Sequence, residues 1–249
     1  MTDNIKLATR KSPLALKQAN IVKDYLLNNN IFKNIELVSM STSGDTVDSK
    51  EFKKHGGKGL FLKELESALI KEKVDIAVHS MKDVPAKIDK RFVITSIMKR
   101  EDPRDVFISN KFKALSEINT GTIGSSSPRR QAIVKHLFKG IKTTEIRGNI
   151  NTRLNKLNEE KMDGIILAKA GLERMGMENV ITESLGTDYF VPSPGQGILC
   201  IECLSKNTSL IKKIKKMLII LLKYAELQRG YLRRRWMVIA CLRLVPTLK

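Results

Sequence analysis

The sequence has few of the features that mark secreted, membrane-spanning or nucleic-acid-binding proteins. Three cysteines among 249 residues are too few for a disulfide framework. The longest apolar run near the carboxyl end, MLIILL, is far shorter than the roughly 20 residues that span a bilayer. The first residues, MTDNIKLATR, contain no apolar signal core. We therefore predict a cytoplasmic location and no membrane association.

Aromatic residues are also scarce, at 5% of the chain, and no stacking surface for nucleic acid is readable. The net charge of +19 would by itself suggest a nucleic-acid partner. Residues 204–249, however, hold twelve Lys/Arg and one acidic residue, and so contribute +11 of that charge. The remainder is moderately basic, which suits small anionic ligands equally well. We predict no nucleic-acid partner, and binding by the basic tail stays the weaker alternative.

Strand-like and helix-like segments alternate through the first two hundred residues. Strands are predicted over IKLATR, IELVSMST, VDIAVHSM, RFVITSIM, DVFIS, GTIG, KTTEIRG, DGIILA and GILCIEC. Helices are predicted from Pro13 to about Asn29, over GLFLKELESALIKEK, from Pro128 to Leu137 and over NTRLNKLNEEK. This order predicts an α/β fold with largely parallel sheets.

A Ser-Pro pair followed by Gln-Ala occurs twice, in RKSPLALKQA and in SSSPRRQAIV. Ser12 and Ser127 fit the N-cap position of a helix, and the prolines that follow fit its first turn. Two similar lobes that each present a helix N-terminus indicate a cleft between them. The segments KREDPRD and VPSPGQG are predicted to pass between the lobes.

Arg129 and Arg130 lie in the first turn of the second of these helices, where positive charge opposes the helix dipole. Serine hydroxyls, free backbone N–H groups and two guanidinium groups together form a site for a carboxylate or phosphate. A solvated basic helix start is the alternative. Arg147, at a predicted strand end, and Arg153, in the next helix, extend the same hypothesis, because ligands of open α/β sheets bind beyond the carboxyl ends of strands.

The apolar segment VDIAV leads to His79, Lys82 and Asp83. A fixed carboxylate at a strand end can stabilise a developing cation or accept a proton, and we expect Asp83 to have that role. His79 is predicted to be a packed core histidine. A CxxC pair, Cys200 and Cys203, lacks the further ligands of a zinc site, so no metal is predicted.

Eight ordered motifs between Ile5 and Cys203 resemble the porphobilinogen deaminase (hydroxymethylbilane synthase) family. They are ATRKSPLAL, GGKGLFLKELE, DIAVHSMKDVP, REDPRD, GSSSPRRQ, IRGNINTRL, ILAKAGLERMG and PSPGQGILCIEC. The resemblance implies a monomeric transferase that joins four porphobilinogen units to hydroxymethylbilane and releases ammonia, in haem biosynthesis. It also implies a dipyrromethane cofactor held on a cysteine by a thioether.

The resemblance further implies two lobes like those of periplasmic binding proteins and a small third α/β domain. The expected boundaries are residues 1–98 with 197–216 for domain 1, 99–196 for domain 2 and 217–249 for a truncated remnant of domain 3. Asp83 matches the catalytic aspartate. The matched cofactor or substrate contacts are Arg10, Ser12, Lys58, Lys82, Ser125, Ser126, Ser127, Arg129, Arg130, Arg147, Arg153 and Gln196. A non-catalytic anion-binding protein with two lobes is the alternative function.

The end of the chain, YLRRRWMVIACLRLVPTLK, departs from the family pattern. Cys241, the one candidate for cofactor attachment, has no glycine turn before it. In a frame shifted by two bases, the codons of Trp236, Met237 and Val238 force Asp-Gly, and a signature of the type AER…MDGDC becomes available. We therefore predict a frameshift that begins between about Asn207 and Leu227, and a product that cannot hold dipyrromethane covalently.

Overall fold

The protein is described from a computed structural model that covers residues 3–42 and 62–215. Its first sheet has five strands in the order β2-β1-β3-β10-β4. These strands are β1 (Asn4–Arg10), β2 (Asn34–Met40), β3 (Ile76–Ser80), β4 (Phe92–Ile97) and β10 (Leu199–Leu204). The last strand of the described chain thus returns to the sheet that the first strand began.

The second sheet also has five strands, in the order β7-β6-β8-β5-β9. They are β5 (Asp105–Ile108), β6 (Gly121–Gly124), β7 (Ile141–Thr144), β8 (Gly164–Ala168) and β9 (Glu183–Ser184). All of them lie between β4 and β10 in the chain. The segment that forms the second sheet is therefore inserted between two strands of the first sheet.

Both sheets are mixed but largely parallel, as predicted: four of the five strands in each sheet run in the same direction, and the fifth runs against them. Strand β1 pairs in parallel with β2 and β3, and β6 pairs in parallel with β7 and β8. Strand β10 is antiparallel to β3 and β4, and β5 is antiparallel to β8 and β9. Both antiparallel strands, β5 and β10, come directly after a segment that passes between the sheets.

Five helices have described bounds: α1 (Pro13–Asn28), α2 (Lys63–Ile70), α3 (Pro128–Leu137), α4 (Ile150–Glu159) and α5 (Lys169–Met175). Residues 208–215 are also helical. The predicted N-caps are confirmed: Ser12 Oγ accepts a hydrogen bond from the backbone N–H of Ala15 at 3.4 Å, and Ser127 Oγ accepts one from that of Arg130 at 3.5 Å. The Ser-Pro pairs therefore start the helices as their chemistry predicts.

Each sheet has its own buried apolar clusters. One face of the first sheet packs Leu7, Val78 and Ile201 against α1, through residues such as Val22 and Leu26. The second sheet buries separate clusters that include Phe107, Ile123 and Phe190 on one side and Val106, Ile165 and Leu167 on the other. Burial of the odd and even residues of β5 in different clusters shows that this strand is covered on both faces.

Two segments that cross between the sheets run side by side. The backbone N–H of Glu101 donates to Gly197 O at 3.0 Å, and Arg100 Nε donates to Gln196 O at 2.9 Å. Gly197 has φ +84°, and a Cβ there would lie 2.6 Å from Glu101 O. The crossing point, residues 99–104 with 195–198, therefore requires glycine where the two backbones touch.

Candidate active site

The candidate site begins where β3 ends. This strand is buried along its length, and residues Met81–Asp83 follow it as a single 3-10 turn. The turn is fixed on two sides, because Ser80 Oγ and the Gln18 side chain are hydrogen-bonded and the backbone N–H of Met81 donates to Ile198 O at 2.9 Å. Lys82 and Asp83 are thereby held, partly buried, at the edge of the first sheet.

The segment that returns from the second sheet packs directly on this turn. Gly195 has φ +74°, and a Cβ on it would lie 2.8 Å from Met81 Cγ and 3.1 Å from the backbone N of Lys82. A side chain would need to displace the turn that carries Lys82 and Asp83. The glycine of PSPGQG is thus required both by its backbone conformation and by close contact with the site.

Lys82 lies among charged groups from both sheets. Burial disfavours its ammonium form and lowers the pKa of Lys82 to about 8, although the neighbouring Asp83 acts to raise it. Arg130, Asp105 and Arg153, which belong to the part of the chain that forms the second sheet, also act on this amine. The fold therefore brings the two predicted sets of residues within electrostatic range of each other.

The start of α3 is built from a serine-rich loop. Ser125 is buried, and its Oγ accepts a hydrogen bond from the backbone N–H of Ser127 at 3.3 Å. Ser126 Oγ donates to Ile146 O at 2.5 Å. Ser127 caps the helix, so these three predicted contacts all have hydrogen bonds that shape the loop.

A carboxylate of the chain itself lies beside Arg129 and Arg130, and the site that the sequence predicts there for a bound carboxylate or phosphate stays a prediction. Asp105, the first residue of β5, is fully buried between the two guanidinium groups. Arg129 Nη2 lies 2.7 Å from Asp105 Oδ2, and Arg130 Nη2 lies 2.7 Å from Oδ1. Burial acts to raise the pKa of Asp105, but the two arginines and Gln196 outweigh it and hold that pKa below its usual range.

Gln196 is buried beside the same carboxylate. Its Nε2 donates to Asp105 Oδ1 at 2.8 Å and to Pro103 O at 2.7 Å. The sequence predicted Gln196 as a ligand contact and did not reveal Asp105. The signal for Asp105 was weak, since it is one acidic residue at the start of a four-residue apolar strand.

Arg147 and Arg153 lie before and after Gly148 in the sequence. Gly148 has φ +114°, and a Cβ on it would lie 2.6 Å from Thr152 Cγ2. Arg153 Nε donates to Gly148 O at 2.9 Å. Burial, together with the positive charges of Arg130 and Arg147, lowers the pKa of Arg153 to about 10. The positive charges of Arg130 and Arg147 around the guanidinium group of Arg153 form a site that favours anions.

The remaining predicted residues are placed as follows. Arg10 ends β1, next to the cap of α1 at Ser12. Lys58 and Cys241 lie outside the described residues. His79 is buried as predicted, and its Nε2 lies 3.0 Å from Oε2 of Glu202, a fully buried residue that the sequence did not single out.

The two thiols of the CxxC pair are buried. Cys200 and Cys203 belong to different apolar clusters. Burial raises the pKa of both thiols, to about 12 for Cys203. Over residues 3–42 and 62–215 no group of three or more His, Cys, Asp or Glu side chains is placed to hold a metal ion, and no helix there is long and apolar enough to cross a membrane.

Solved structures of periplasmic binding proteins have a similar fold. The methionine-binding protein MetQ has a TM-score of 0.54 at 11% identity, over 86% of this chain and 89% of that one. An arginine transport-system periplasmic binding protein from Legionella pneumophila has a TM-score of 0.51 at 14% identity, over 92% of this chain and 97% of that one. At such identities these likenesses show the fold alone, and nothing about the ligand.

Sequence comparison is more specific. The family model described as "Porphobilinogen deaminase, dipyromethane cofactor binding domain" matches residues 5–212. A porphobilinogen deaminase of Francisella philomiragia subsp. philomiragia is 42% identical over 214 residues, which is 86% of this chain and 71% of that protein. Taken with the carboxylate and the cationic groups in the cleft, these matches lead to one conclusion: the chain belongs to the porphobilinogen deaminase family of transferases.

Proposed function

We propose that the cleft binds the acetate and propionate groups of porphobilinogen, and that the reaction it serves joins four porphobilinogen units to hydroxymethylbilane with release of ammonia. One observation carries the proposal. Lys82 and Asp83 lie on the turn after β3, and Arg153 lies on α4, which belongs to the part of the chain that forms the second sheet. The charges of these residues act on one another. One carboxylate among several cationic groups suits a polyanionic substrate that reacts through a cation.

Asp83 is the proposed catalytic residue. Its carboxylate accepts hydrogen bonds from pyrrole N–H groups and stabilises the positive charge that develops on the substrate as ammonia leaves. The fixed turn supports this role, since a charge that is already in place costs little reorganisation when the cation forms. Ser80 and Met81 hold that turn through hydrogen bonds to α1 and to the segment before β10.

The proposed carboxylate-binding groups are arginines, whose planar guanidinium groups match the two oxygens of a carboxylate. They are Arg10, Arg129, Arg130, Arg147 and Arg153. Further proposed contacts are Ser12, Lys58, Lys82, Ser125, Ser126, Ser127 and Gln196. Serine hydroxyls and the amine of Lys82 add hydrogen-bond donors to the guanidinium groups around them.

The cleft also fits the dipyrromethane cofactor of the family. Arg129 Nε is buried and has no hydrogen-bond partner among the residues that the structure describes. Burial also lowers the pKa of the Arg129 guanidinium, although Asp105 acts to raise it. A carboxylate of the cofactor would satisfy this donor, and Lys82 and Arg153 would hold further carboxylates. When bound, the cofactor supplies the pyrrole end to which new units are joined.

We propose that this chain does not carry the cofactor covalently. The codons after Asn207 allow a shifted frame that restores a glycine-flanked cysteine, whereas Cys241 lacks that context. The family model matches as far as residue 212. Residues 216–249 lie outside the described part of the chain, so the proposal rests on the sequence alone.

The remaining proposals concern organisation and setting. Residues 1–98 with 197–216 form domain 1 and residues 99–196 form domain 2, which the membership of strands in the two sheets supports. Residues 217–249, which lie outside the described chain, are proposed as a remnant of domain 3. The protein is a cytoplasmic monomer that binds no nucleic acid.

An assay of ammonia release from porphobilinogen tests the function. The chain is first extended by a single-base correction that restores the third domain, and Asp83→Asn is then introduced. We expect turnover to fall by more than roughly two decades with folding retained, because losing a charge placed at a developing cation costs on the order of 3 kcal/mol. Near-normal turnover in that variant would remove Asp83 from the mechanism.

A further inference from the structure

We propose that Asp105 is a positioning residue of the cleft, whose buried carboxylate holds the guanidinium groups of Arg129 and Arg130 in place for the carboxylates of the substrate. This inference rests on the proposed function, because it assigns a new residue to the same site. In this proposal the arginines contact the ligand, and Asp105 acts on the ligand only through them.

The geometry joins the three side chains closely. Arg130 Nε and Nη2 donate to Asp105 Oδ1 at 3.0 Å and 2.7 Å, and Arg130 Nη1 donates to Ile166 O at 3.1 Å. Arg129 Nη2 lies 2.7 Å from the other oxygen, Oδ2, and its Nη1 donates to Val191 O at 2.6 Å. One carboxylate thus fixes two guanidinium groups that follow each other in the chain.

The carboxylate of Asp105 is more deeply buried than the two guanidinium groups that it contacts. Its side chain is 0% exposed, whereas those of Arg130 and Arg129 are 8% and 24% exposed. Exposure therefore increases from the carboxylate outward, and Arg129 is the member of the group that a ligand can reach. Without an anion behind them, two adjacent cations at a helix N-terminus would repel each other and oppose the dipole.

The carboxylate is fixed from its other side by the crossing point. Gln196 Nε2 donates both to Asp105 Oδ1 and to Pro103 O, and Arg100 Nε donates to Gln196 O. These bonds tie the arginines to the segments that pass between the two sheets. A buried ion pair contributes little net stability, so fixing the geometry of a group is its better-attested role.

The sign of the effect on ligand affinity distinguishes positioning from simple electrostatics. If Asp105 acted only as a negative charge near the cleft, its neutralisation would strengthen the binding of an anion. If it positions Arg129 and Arg130, its neutralisation weakens binding although the cleft becomes more positive. If it served stability alone, affinity would not change.

The experiment uses the 249-residue chain and Asp105→Asn, with porphobilinogen as the probe. Calorimetric titration measures affinity, and NMR of the arginine Nε–Hε groups measures whether Arg129 and Arg130 are held. We expect affinity to fall about tenfold, the order of a lost charged hydrogen bond. We also expect the Nε–Hε signals of Arg129 and Arg130 to move to the shift of freely exposed arginines.

Asp163→Asn is the matched control. Asp163 also binds a cation, Lys111, at 2.9 Å, and it precedes β8, whose far end pairs with Asp105. This variant should leave both readouts unchanged. If Asp105→Asn does not fold, Gln196→Leu takes its place: it removes one bond to the carboxylate and should weaken affinity by roughly threefold. It should also move the Nε–Hε signals of Arg129 and Arg130 in the free protein, which the loss of a direct contact between Gln196 and the ligand would not do.

The outcomes separate the two proposals. Affinity that is unchanged or stronger in Asp105→Asn, or arginine signals that stay in place, would overturn the role of Asp105 alone. The same holds for unchanged affinity in Gln196→Leu if that variant is the one measured. Failure of the unmodified chain to bind porphobilinogen would overturn the proposed function, and with it any role of Asp105 in that function.

Discussion

At the scale of single residues, the most informative feature is the carboxylate between the arginines. The helix dipole and the sequence SSSPRRQ predicted a ligand carboxylate or phosphate beside Arg129 and Arg130, which stays a prediction. They could not reveal the carboxylate of Asp105, because Asp105 lies 25 positions before Arg130 and reaches it only through the folded chain. The same limit applies to His79, which was predicted to be packed and whose partner Glu202 is 123 positions away.

Lys82 should make ligand binding depend on pH. Its pKa is lowered to about 8 in the free protein, so the ammonium form is present below that value and is lost as the pH rises above it. A carboxylate ligand prefers the ammonium form, so we expect the affinity for porphobilinogen to be full below about pH 8 and to fall above it. Titration calorimetry from pH 7 to pH 9.5 measures this.

Lys82→Arg is the control for this prediction, because its charge persists over the whole range. Affinity in that variant should stay flat between pH 7 and pH 9.5. Proton uptake, measured as a heat that depends on the buffer, should be seen at pH 8 in the unmodified chain and be absent in Lys82→Arg. A parallel decline of affinity in both proteins would show that another group titrates.

At the scale of elements, helix starts and the largely parallel order of the sheets were predictable, and the direction of one strand in each sheet was not. A Ser-Pro pair sets an N-cap by local chemistry, and both predicted caps are present. Strands joined by a helix within one sheet are parallel because the connection must cross over. Strands β5 and β10 instead arrive from the other sheet, so no local rule fixes their direction, and both are antiparallel to the strands beside them.

The turn after β3 should be sensitive to a substitution on the segment packed against it. In Gly195→Ala a methyl group would meet Met81 and the backbone of Lys82, in addition to a φ of +74°. We expect stability to fall by more than the roughly 1–2 kcal/mol of a left-handed alanine, and porphobilinogen affinity to fall as the turn shifts. Urea denaturation and calorimetry measure the two effects.

Gly176→Ala provides a matched comparison. Gly176 also has a positive φ, +66°, but a Cβ there would have no atom within 4 Å. Its cost should be backbone strain alone, with ligand affinity unchanged. Equal losses of stability in the two variants, or equal affinities, would mean that close packing of Gly195 on the turn has no effect.

At the scale of the whole molecule, the family model matches residues 5–212. This part of the chain contains both sheets and the crossing point between them. The order of motifs was sufficient to predict this part. The prediction for the carboxyl end depends instead on codons, and residues 216–249 lie beyond the described chain. It therefore stays a prediction that a measurement on the intact protein must decide.

Intact-protein mass spectrometry tests that prediction. We expect the mass of the unmodified chain, 28.1 kDa, with no dipyrromethane adduct. The sequence before Cys241 has no glycine of the kind that would favour a turn exposing a reactive thiolate. The DNA should also restore a glycine-flanked cysteine after a single-base correction. An adduct on Cys241 would make it the attachment site, and a reading frame without that continuation would refute the frameshift.

The central claim is that the cleft binds porphobilinogen through its guanidinium groups, and calorimetric titration of the 249-residue chain with porphobilinogen tests it most directly. We expect saturable binding at one site, weakened about tenfold or more in Arg147→Leu, because a buried carboxylate loses a charged partner. Arg91→Leu, which removes an exposed arginine that pairs with Asp89, should bind as the unmodified chain does. Absence of saturable binding, or equal affinity in Arg147→Leu, would contradict the account.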